Sequence, residues 1–310
     1  MTRPRGPVLT AWTSSGSGVA ATIGQHMIDV SDLCYSYRNS CAAAVHGLDF
    51  SVARGEIFGF LGPSGAGKST TQKILTGLLE GYTGRARVNG KEVRAWTSSD
   101  YERIGVSFET PNHFLKLTGL ENLRYFAALY AGETQRPESL LEAVGLDGEG
   151  HKLVAHYSKG MKCRLSMARS LLPNPELLFL DEPTAGLDPV SAQRIRDVIR
   201  AERSSGRTVF LTTHDMSAAD ELCDRVAFIV DGRLTCIESP RALKMQYGER
   251  TVRVEYFDGS GTTRVDFPLD GLVENAAFHD VLRERDVQTI HTREASLADI
   301  FIRVTGRQLG

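Results

Sequence analysis

The segment that most constrains the fold is a short apolar run followed by a glycine-rich loop and an amphipathic stretch. Residues 57–61 form the apolar run, which is typical of a buried central strand. Residues 68–79 then place Ile74, Leu75 and Leu79 on one helical face. The loop between them, residues 62–69, matches G-x-x-x-x-G-K-[ST] at every position. This motif between a strand and a helix predicts a P-loop.

A P-loop binds phosphate through its backbone and the start of its helix. Its glycines let successive N–H groups turn inward, and the helix N-terminus adds partial positive charge. We expect Lys68 to reach the β- and γ-phosphates of a nucleotide and the Ser69 hydroxyl to bind Mg²⁺. The predicted nucleotide-binding residues of this segment are Gly62, Pro63, Ser64, Gly65, Ala66, Gly67, Lys68, Ser69 and Thr70.

A second apolar run ends in two carboxylates. Residues 177–180 predict a buried strand, which Asp181 and Glu182 follow directly. Asp181 is expected to hold Mg²⁺ through water. Glu182 points in a different direction, and we expect it to accept a proton from attacking water as a general base. Acidic residues after a strand are common, so this interpretation depends on the P-loop upstream.

Further strand and helix patterns alternate along the chain. Strands are predicted at residues 208–213 and 225–230 with helical stretches between them, which implies a parallel sheet covered by helices. The dipeptides Asn89-Gly90 and Asp231-Gly232 predict hairpin turns. Residues 117–172 have a largely helical period. Together these patterns predict an α/β fold.

Composition and charge exclude two broad classes. The chain has 310 residues and a formal net charge of −2, which argues against binding nucleic acid mainly through bulk positive charge. None of its apolar runs approaches the roughly 20 residues that cross a bilayer. We therefore expect this chain not to span a membrane by itself.

Three further segments distinguish this P-loop protein from kinases and GTPases. The run Tyr157-Ser158-Lys159-Gly160-Met161 precedes an amphipathic helix, and Gly160 lies 21 residues before Asp181. Residues 186–189, Gly-Leu-Asp-Pro, follow soon after Glu182, and residues 212–215, Thr-Thr-His-Asp, end the next strand. With the first two motifs, this order resembles the ATP-binding-cassette (ABC) ATPase family over about residues 27–240.

The resemblance implies a fold and a head-to-tail dimer. The fold is that of a P-loop NTPase, with a RecA-like core, an antiparallel β subdomain and an inserted helical subdomain at about residues 115–172. In the family, the P-loop of one subunit and the signature segment of the other enclose each ATP. Here Ser158 and Gly160 match the signature positions that touch the γ-phosphate in trans. Asp188 matches the loop that couples the two sites.

The resemblance also assigns two residues near the nucleotide. His214 matches the histidine that contacts the γ-phosphate and positions water; considered alone, it would be an ordinary histidine at the end of a strand. Tyr37 lies 25 residues before Gly62, where the family places an aromatic residue that stacks on adenine. Tyr35 is on the same strand face, so it stays an alternative, and either side chain could simply pack on the strand.

The chain departs from the family pattern at two places. Its signature is Tyr-Ser-Lys-Gly-Met, whereas the family usually has Leu-Ser-Gly-Gly-Gln. Glu109 occupies a position where a glutamine normally binds Mg²⁺ and senses the transmembrane partner. A carboxylate can still accept a hydrogen bond from metal-bound water, but it changes the charge near the metal.

The two ends of the chain differ from the cassette. Residues 1–26 are rich in small and polar residues, and we expect a disordered tail there. Residues 249–310 predict a hairpin, a helix, a strand and a final helix that begins with a capping box of Ser296 and Asp299. We interpret them as a small accessory α+β domain after a cassette at residues 27–248.

The C-terminal pattern narrows the resemblance. The run Leu297-Ala298-Asp299-Ile300-Phe301 and the Ser-Lys-Gly-Met signature resemble ABC-2-type exporters, including drug and antibiotic efflux systems. Residues 106–112 are similar to the fluoroquinolone-export type. The resemblance thus implies an ATP-hydrolysing subunit with ATP and Mg²⁺ as cofactors. It would power a separate ABC-2-type permease from the cytoplasmic face of the plasma (inner) membrane, as a homodimer or heterodimer and without nucleic acid.

One alternative of a different class is a soluble ABC ATPase acting in translation or DNA repair. Translation-type members usually join two cassettes, and repair-type members insert long coiled coils. This chain has one cassette pattern and no heptad insertion, which favours the transporter subunit. The transported substrate does not follow from the sequence, because selectivity in such systems lies mainly in the permease.

Overall fold

A computed structural model describes residues 26–38, 42–248, 251–293 and 295–307 of the chain. The tail predicted at residues 1–26 lies outside these residues except for His26, which begins the first strand. Within the described residues, no helix combines the length and the apolar character needed to cross a bilayer.

The first sheet is antiparallel and has the strand order β2-β1-β4-β5. Its strands are β1 (His26–Tyr35), β2 (Val45–Ala53), β4 (Thr83–Val88) and β5 (Lys91–Glu92). The predicted turn between the last two is present, since Asn89 and Gly90 both have positive φ (52° and 78°). This sheet covers one face of the central sheet.

The central sheet has six strands in the order β10-β9-β3-β8-β7-β6. They are β3 (Ile57–Leu61), β6 (Ile104–Ser107), β7 (Leu177–Asp181), β8 (Thr208–Thr213), β9 (Arg225–Val230) and β10 (Arg233–Glu238). All neighbours are parallel except β9 and β10, which form the predicted hairpin. Every residue of β3, β7 and β8 is buried, because both faces of the sheet are covered.

Most of the helices surround the central sheet or join its strands, and the one before the last strand packs on a separate small sheet. They are α1 (Lys68–Leu75), α2 (Ser98–Tyr101), α3 (Gly119–Ala127), α4 (Pro137–Ala143), α5 (Lys159–Leu171), α6 (Pro189–Ser204), α7 (Met216–Leu222), α8 (Pro240–Tyr247), α9 (Ala276–Glu284) and α10 (Leu297–Thr305). Helices α3, α4 and α5 come between β6 and β7 in the chain, within the predicted helical insertion. The fold class expected from the sequence is confirmed.

A third, three-stranded sheet follows α8. Its strands are β11 (Thr251–Phe257), β12 (Thr262–Pro268) and β13 (Asp286–Arg293), in the order β12-β11-β13. Val252, Val254 and Phe267 are buried in a small cluster beneath α9. The chain leaves α8 at Gly248 and returns at Ala295, and a Cβ added to Gly248 would lie 3.5 Å from the Cβ of Ala295.

The final helix, α10, packs on the cassette and not on the third sheet. Leu297, Ile300 and Phe301 are each at most 1% exposed and belong to the cluster that contains residues of β3, β7, β8 and β9. The capping box predicted for this helix is present: Ser296 and Asp299 bond reciprocally. The domain boundaries expected from the sequence stay a prediction, but by packing α10 belongs to the cassette core.

Candidate active site

The predicted P-loop connects β3 to α1 at the carboxyl edge of the central sheet. Gly67 precedes α1 with φ 107°, and a Cβ added to it would lie 2.7 Å from the carbonyl oxygen of Ala44. A Cβ added to Gly62 would lie 2.2 Å from the carbonyl oxygen of Ile229. Only glycine fits at these two positions, so the motif is required by the close approach of neighbouring backbone.

Lys68 begins α1 and turns back across the loop. Its side chain is 8% exposed, and its Nζ donates to the carbonyl oxygens of Gly62 (2.7 Å) and Pro63 (3.1 Å). The Nζ also lies 3.9 Å from Oε1 of Glu182. Burial lowers the pKa of Lys68, while the charges of Glu182, Asp181 and Glu109 oppose that shift. The ammonium group is thus held at the loop, where an anion would meet it.

Asp181 and Ser69 bring oxygen atoms together from β7 and α1. Asp181 is 6% exposed, and its Oδ1 accepts hydrogen bonds from the Thr212 hydroxyl and from Oγ of Ser69, the latter at 3.3 Å. Carboxylate and hydroxyl oxygens are ligands that suit Mg²⁺. The pair therefore fits the predicted metal site.

Glu182 turns away from Asp181 because its backbone is in the left-handed region, with φ 50°. Its Oε2 accepts from the Thr213 hydroxyl at 2.8 Å. Its Oε1 accepts from the backbone N–H of His214 at 3.0 Å and contacts Nδ1 of the same residue at 2.7 Å. The carboxylate is thus held from two sides, and the two predicted catalytic residues of β7 and β8 are in direct contact.

The site contains residues that the sequence argument missed. Thr212 and Thr213 hold the two carboxylates of the site, and neither was assigned a role. Their position directly before His214, at the end of the strand that pairs with β7, is the signal that could have identified them. Ala44 also lines the cleft at the P-loop, but it is small and apolar, so no sequence motif indicated its role.

A cleft of about 300 Å³ opens at the P-loop. It is lined by Tyr37, Ala44, Ser64, Gly65, Gly67, Lys68, Ser69, Thr70, Glu109, Asp181 and Glu182. This volume is at the lower end of the range found for pockets that bind small molecules. The remaining P-loop residues support the lining from behind, Gly62 and Pro63 by binding Lys68, and Ala66 by accepting from Gly232 N–H at 3.0 Å.

Tyr37, and not Tyr35, lines the cleft. β1 ends at Tyr35, and Tyr37 follows in the connection to β2 with 40% of its surface exposed. Its hydroxyl bonds the Thr70 hydroxyl at 3.1 Å, and its ring meets that of Tyr35 edge-on at 5.0 Å. The Tyr37 ring is therefore held at the rim of the cleft, where a planar group could stack on it.

The predicted signature residues and Asp188 lie elsewhere on the molecule. Ser158 caps α5 by accepting from Met161 N–H at 3.1 Å, and Asp188 caps α6 by accepting from Ser191 N–H at 3.0 Å. Hydrogen bonds from the Ser191 side chain and then from its backbone N–H lower the pKa of Asp188. A Cβ added to Gly160 would lie 3.3 Å from Leu187, so the signature and the Asp188 loop are neighbours. Ser158, Gly160 and Asp188 do not line the cleft.

Family models match two parts of the chain. Residues 45–185 match the model described as ABC transporter, which includes the P-loop, the signature segment and Glu182. Residues 250–294 match the model of the fluoroquinolone efflux ABC transporter C-terminal domain, which corresponds to the third sheet and α9. Helix α10 lies beyond both matched segments.

Curated relatives match nearly the whole chain. A fluoroquinolones export ATP-binding protein of Mycobacterium tuberculosis strain H37Rv is 59% identical over 291 residues, which is 94% of this chain and 97% of that protein. The daunorubicin/doxorubicin resistance ATP-binding protein of Streptomyces peucetius is 34% identical over 309 residues, covering 90% of this chain and 92% of its own.

Solved structures agree with the fold. An ATP-binding subunit of an ABC transporter is 29% identical with a TM-score of 0.64, covering 71% of this chain and 93% of its own. A dimeric ATP-binding cassette in a post-hydrolysis state with ADP and phosphate has a TM-score of 0.63 at 24% identity, covering 69% and 98%. With a relative 59% identical along almost its full length, this chain belongs to the family of ATP-binding subunits of ABC transporters.

Proposed function

We propose that the cleft at the P-loop is the ATP site and that Lys68, Glu182 and His214 carry the hydrolysis. The observation that supports this most directly is their convergence: Oε1 of Glu182 lies 2.7 Å from Nδ1 of His214 and 3.9 Å from Nζ of Lys68. A carboxylate, an imidazole and an ammonium group meet there at the open end of a glycine-rich loop.

The loop and α1 bind the phosphates in this proposal. Backbone N–H groups of residues 64–69 and the N-terminus of α1 supply partial positive charge, and Lys68 supplies a full one. Thr70 holds the Tyr37 hydroxyl at 3.1 Å, so the tyrosine ring stays at the rim, where it stacks on adenine. Phosphates and base are thereby bound at opposite ends of the cleft.

Ser69, Asp181 and Glu109 would hold Mg²⁺. The Ser69 hydroxyl and Asp181 carboxylate are already 3.3 Å apart, and Glu109 lines the same cleft just after β6. Bound there, the ion neutralises charge on the phosphate oxygens. Thr212 keeps the Asp181 carboxylate in place by donating its hydroxyl to it.

Glu182 acts as the general base. It takes a proton from water as that water attacks the γ-phosphorus in line, and ADP leaves with the bridging oxygen. With Nδ1–H donating to the carboxylate, the Nε2 atom of His214 stays available to the γ-phosphate or the water. Thr213 and the backbone of His214 fix the carboxylate, so its orientation does not depend on the ligand.

The site is completed by a second cassette. Ser158, Gly160 and Asp188 lie outside the cleft, yet Ser158 caps the N-terminus of α5, and the start of that helix offers N–H groups to an anion. We infer that Ser158 and Gly160 meet the γ-phosphate bound by another subunit and that the Asp188 loop couples the two sites. The second subunit is an identical chain or a related cassette.

The cassette pair powers an export permease. The M. tuberculosis relative is named for fluoroquinolone export and the S. peucetius relative for daunorubicin/doxorubicin resistance. We propose that this chain drives drug efflux of the fluoroquinolone type through an ABC-2-type permease, bound at the cytoplasmic face of the plasma membrane. To test this, the chain is reconstituted in vesicles with a permease encoded beside it. ATP-dependent movement of a fluoroquinolone across the vesicle membrane is then measured.

Replacing Glu182 tests the catalytic assignment. Glu182→Gln keeps the shape but removes the base, so we expect phosphate release to fall by about 10² to 10⁴ while ATP still binds and an ATP-bound dimer accumulates. The matched control is Glu176→Gln. Glu176 lies just before β7, the strand that Glu182 follows, and its carboxylate pairs with Arg103 at 2.6 Å, far from the cleft. Turnover near the original rate in Glu182→Gln would refute the assignment.

A further inference from the structure

The β9–β10 hairpin lies directly behind the P-loop. The N–H of Gly232 in its turn donates to the carbonyl oxygen of Ala66 at 3.0 Å. The carbonyl oxygen of Ile229 approaches Gly62 so closely that a Cβ there would lie 2.2 Å from it. Because these backbones are in contact, the position of the P-loop depends on the position of the hairpin.

The wall of the cleft follows the same hairpin. A Cβ added to Gly232 or to Gly67 would in each case lie 2.7 Å from the carbonyl oxygen of Ala44. The N–H of His46 donates to the carbonyl oxygen of Gly232 at 2.8 Å. Ala44 lines the cleft, so a shift of the hairpin would move both the loop and this part of the wall.

Helix α10 holds the hairpin at two points. The Phe301 ring is fully buried and meets the Phe228 ring of β9 edge-on, with centroids 5.1 Å apart and planes at 76°. Arg307, two residues beyond the end of α10, donates to Oδ2 of Asp231 in the hairpin turn at 2.7 Å. The first contact is apolar and lies on strand β9, and the second is ionic and lies at the turn of the hairpin.

We propose that α10 is a positioning element of the ATP site: Phe301 and Arg307 hold the β9–β10 hairpin, and the hairpin holds the P-loop in its phosphate-binding conformation. This rests on the proposed function in that the P-loop must bind ATP. The catalytic side chains Glu182 and His214 follow β7 and β8, on the other side of β3 from this hairpin. The effect of α10 therefore falls mainly on ATP binding by the P-loop, and much less on the Glu182 and His214 side chains that act on water.

The test compares two arginines of the same segment. Arg307→Ala and Asp231→Asn each remove the ion pair, and asparagine suits position 231 because φ there is 47°. The matched control is Arg303→Ala, since Arg303 donates to the Tyr247 carbonyl oxygen at the end of α8. ATP binding to the full chain is measured by calorimetry in EDTA, which prevents turnover.

We expect Arg307→Ala and Asp231→Asn each to raise the Kd for ATP about 2- to 5-fold, the range of an exposed ion pair. The double variant should be no weaker than either single one, because both remove the same contact. Arg303→Ala should leave the Kd unchanged. With Mg²⁺ present, KM should rise while kcat stays within about two-fold.

Hydrogen exchange provides a readout that a purely structural role would not change. Amides of residues 65–68 should exchange faster in Arg307→Ala than in Arg303→Ala at equal melting temperature. An unchanged Kd in both ion-pair variants, or an equal rise in Arg303→Ala, would overturn the proposal. Failure of the ATP site itself has a different signature, namely undiminished ATP affinity in Lys68→Ala.

Discussion

The third sheet and α10 are neighbours in sequence, yet they differ in what they pack against. Val252, Val254 and Phe267 of the sheet are buried beneath α9 in a small cluster of their own. Phe301 and its neighbours in α10 are buried in the large cluster shared with β9 and α8. Order along the chain therefore does not decide which core a segment completes. A C-terminal segment of this family member contributes both an added sheet and a piece of the ATPase core.

The largest expected effect comes from replacing one buried phenylalanine in each region. Phe301→Ala should lower the free energy of unfolding of the cassette by about 3–5 kcal/mol, because it leaves a cavity against Phe228. Phe267→Ala removes a ring that packs on Phe278 at 5.4 Å and should destabilise only the third sheet. Thermal unfolding with and without ATP measures both.

The two variants should differ in ATP binding as well as in stability. We expect Phe267→Ala to bind ATP normally and Phe301→Ala to lose its ATP-induced rise in melting temperature as the cassette loosens. Phe301→Leu is the conservative control and should recover most of the loss. Equal loss of cassette stability in Phe267→Ala and Phe301→Ala would show that the sheet and α10 unfold as one unit.

A pH titration should distinguish the cassette from the third sheet through a smaller change in the free energy of unfolding. His113 of the cassette contacts the Lys162 carbonyl oxygen at 2.9 Å and the Ser166 hydroxyl at 3.1 Å, and burial lowers its pKa to about 4 from 6.5. As pH falls from about 6.5 to 4, the unfolded chain takes up a proton that the folded chain does not. The cassette should therefore lose about 3 kcal/mol of stability across that window.

Substitution shows whether that slope belongs to His113. Urea unfolding of His113→Gln should show a flatter dependence on pH between 4 and 6.5. The matched control is His279→Gln in α9, next to the third sheet, where the ring contacts the Val273 carbonyl oxygen at 2.7 Å. The assignment is wrong if the control flattens the slope as much as His113→Gln does.

The smallest expected effect concerns Glu109. Its charge adds to those of Asp181 and Glu182 around Lys68 and repels the phosphates of ATP. Glu109→Gln should therefore tighten ATP binding about 2- to 5-fold in EDTA at low salt, and less with Mg²⁺ or at high salt. An affinity that does not respond to salt or to the substitution would mean that Glu109 is electrostatically silent.

Much of the site could be predicted because its motifs act through local backbone constraints. Gly62 and Gly67 are required because the loop closes on neighbouring backbone at both positions, and Asp181 and Glu182 had to lie at the edge where parallel strands end. The contact between Glu182 and His214 depends on β7 pairing with β8, so it follows from the strand order of the central sheet.

The rest could not be predicted, for three physical reasons. Helical periodicity says that Leu297, Ile300 and Phe301 share a buried face, but it does not say which surface covers that face. Strand alternation placed Tyr35 and Tyr37 on one side, and only the end of β1 at Tyr35 separates them. Thr212 and Thr213 are good strand residues, so their bonds to the carboxylates were hidden by their propensity.

The closeness of Gly248 to Ala295 has a consequence for protein engineering of this chain. Since the path leaves and re-enters the cassette at one point, the third sheet is an insertion with closely spaced ends. Such a module can be excised or exchanged by a short splice across that point while α10 keeps its place. Sequence change in the inserted module is therefore little constrained by the cassette core, whereas α10 has to stay complementary to the hairpin behind the P-loop.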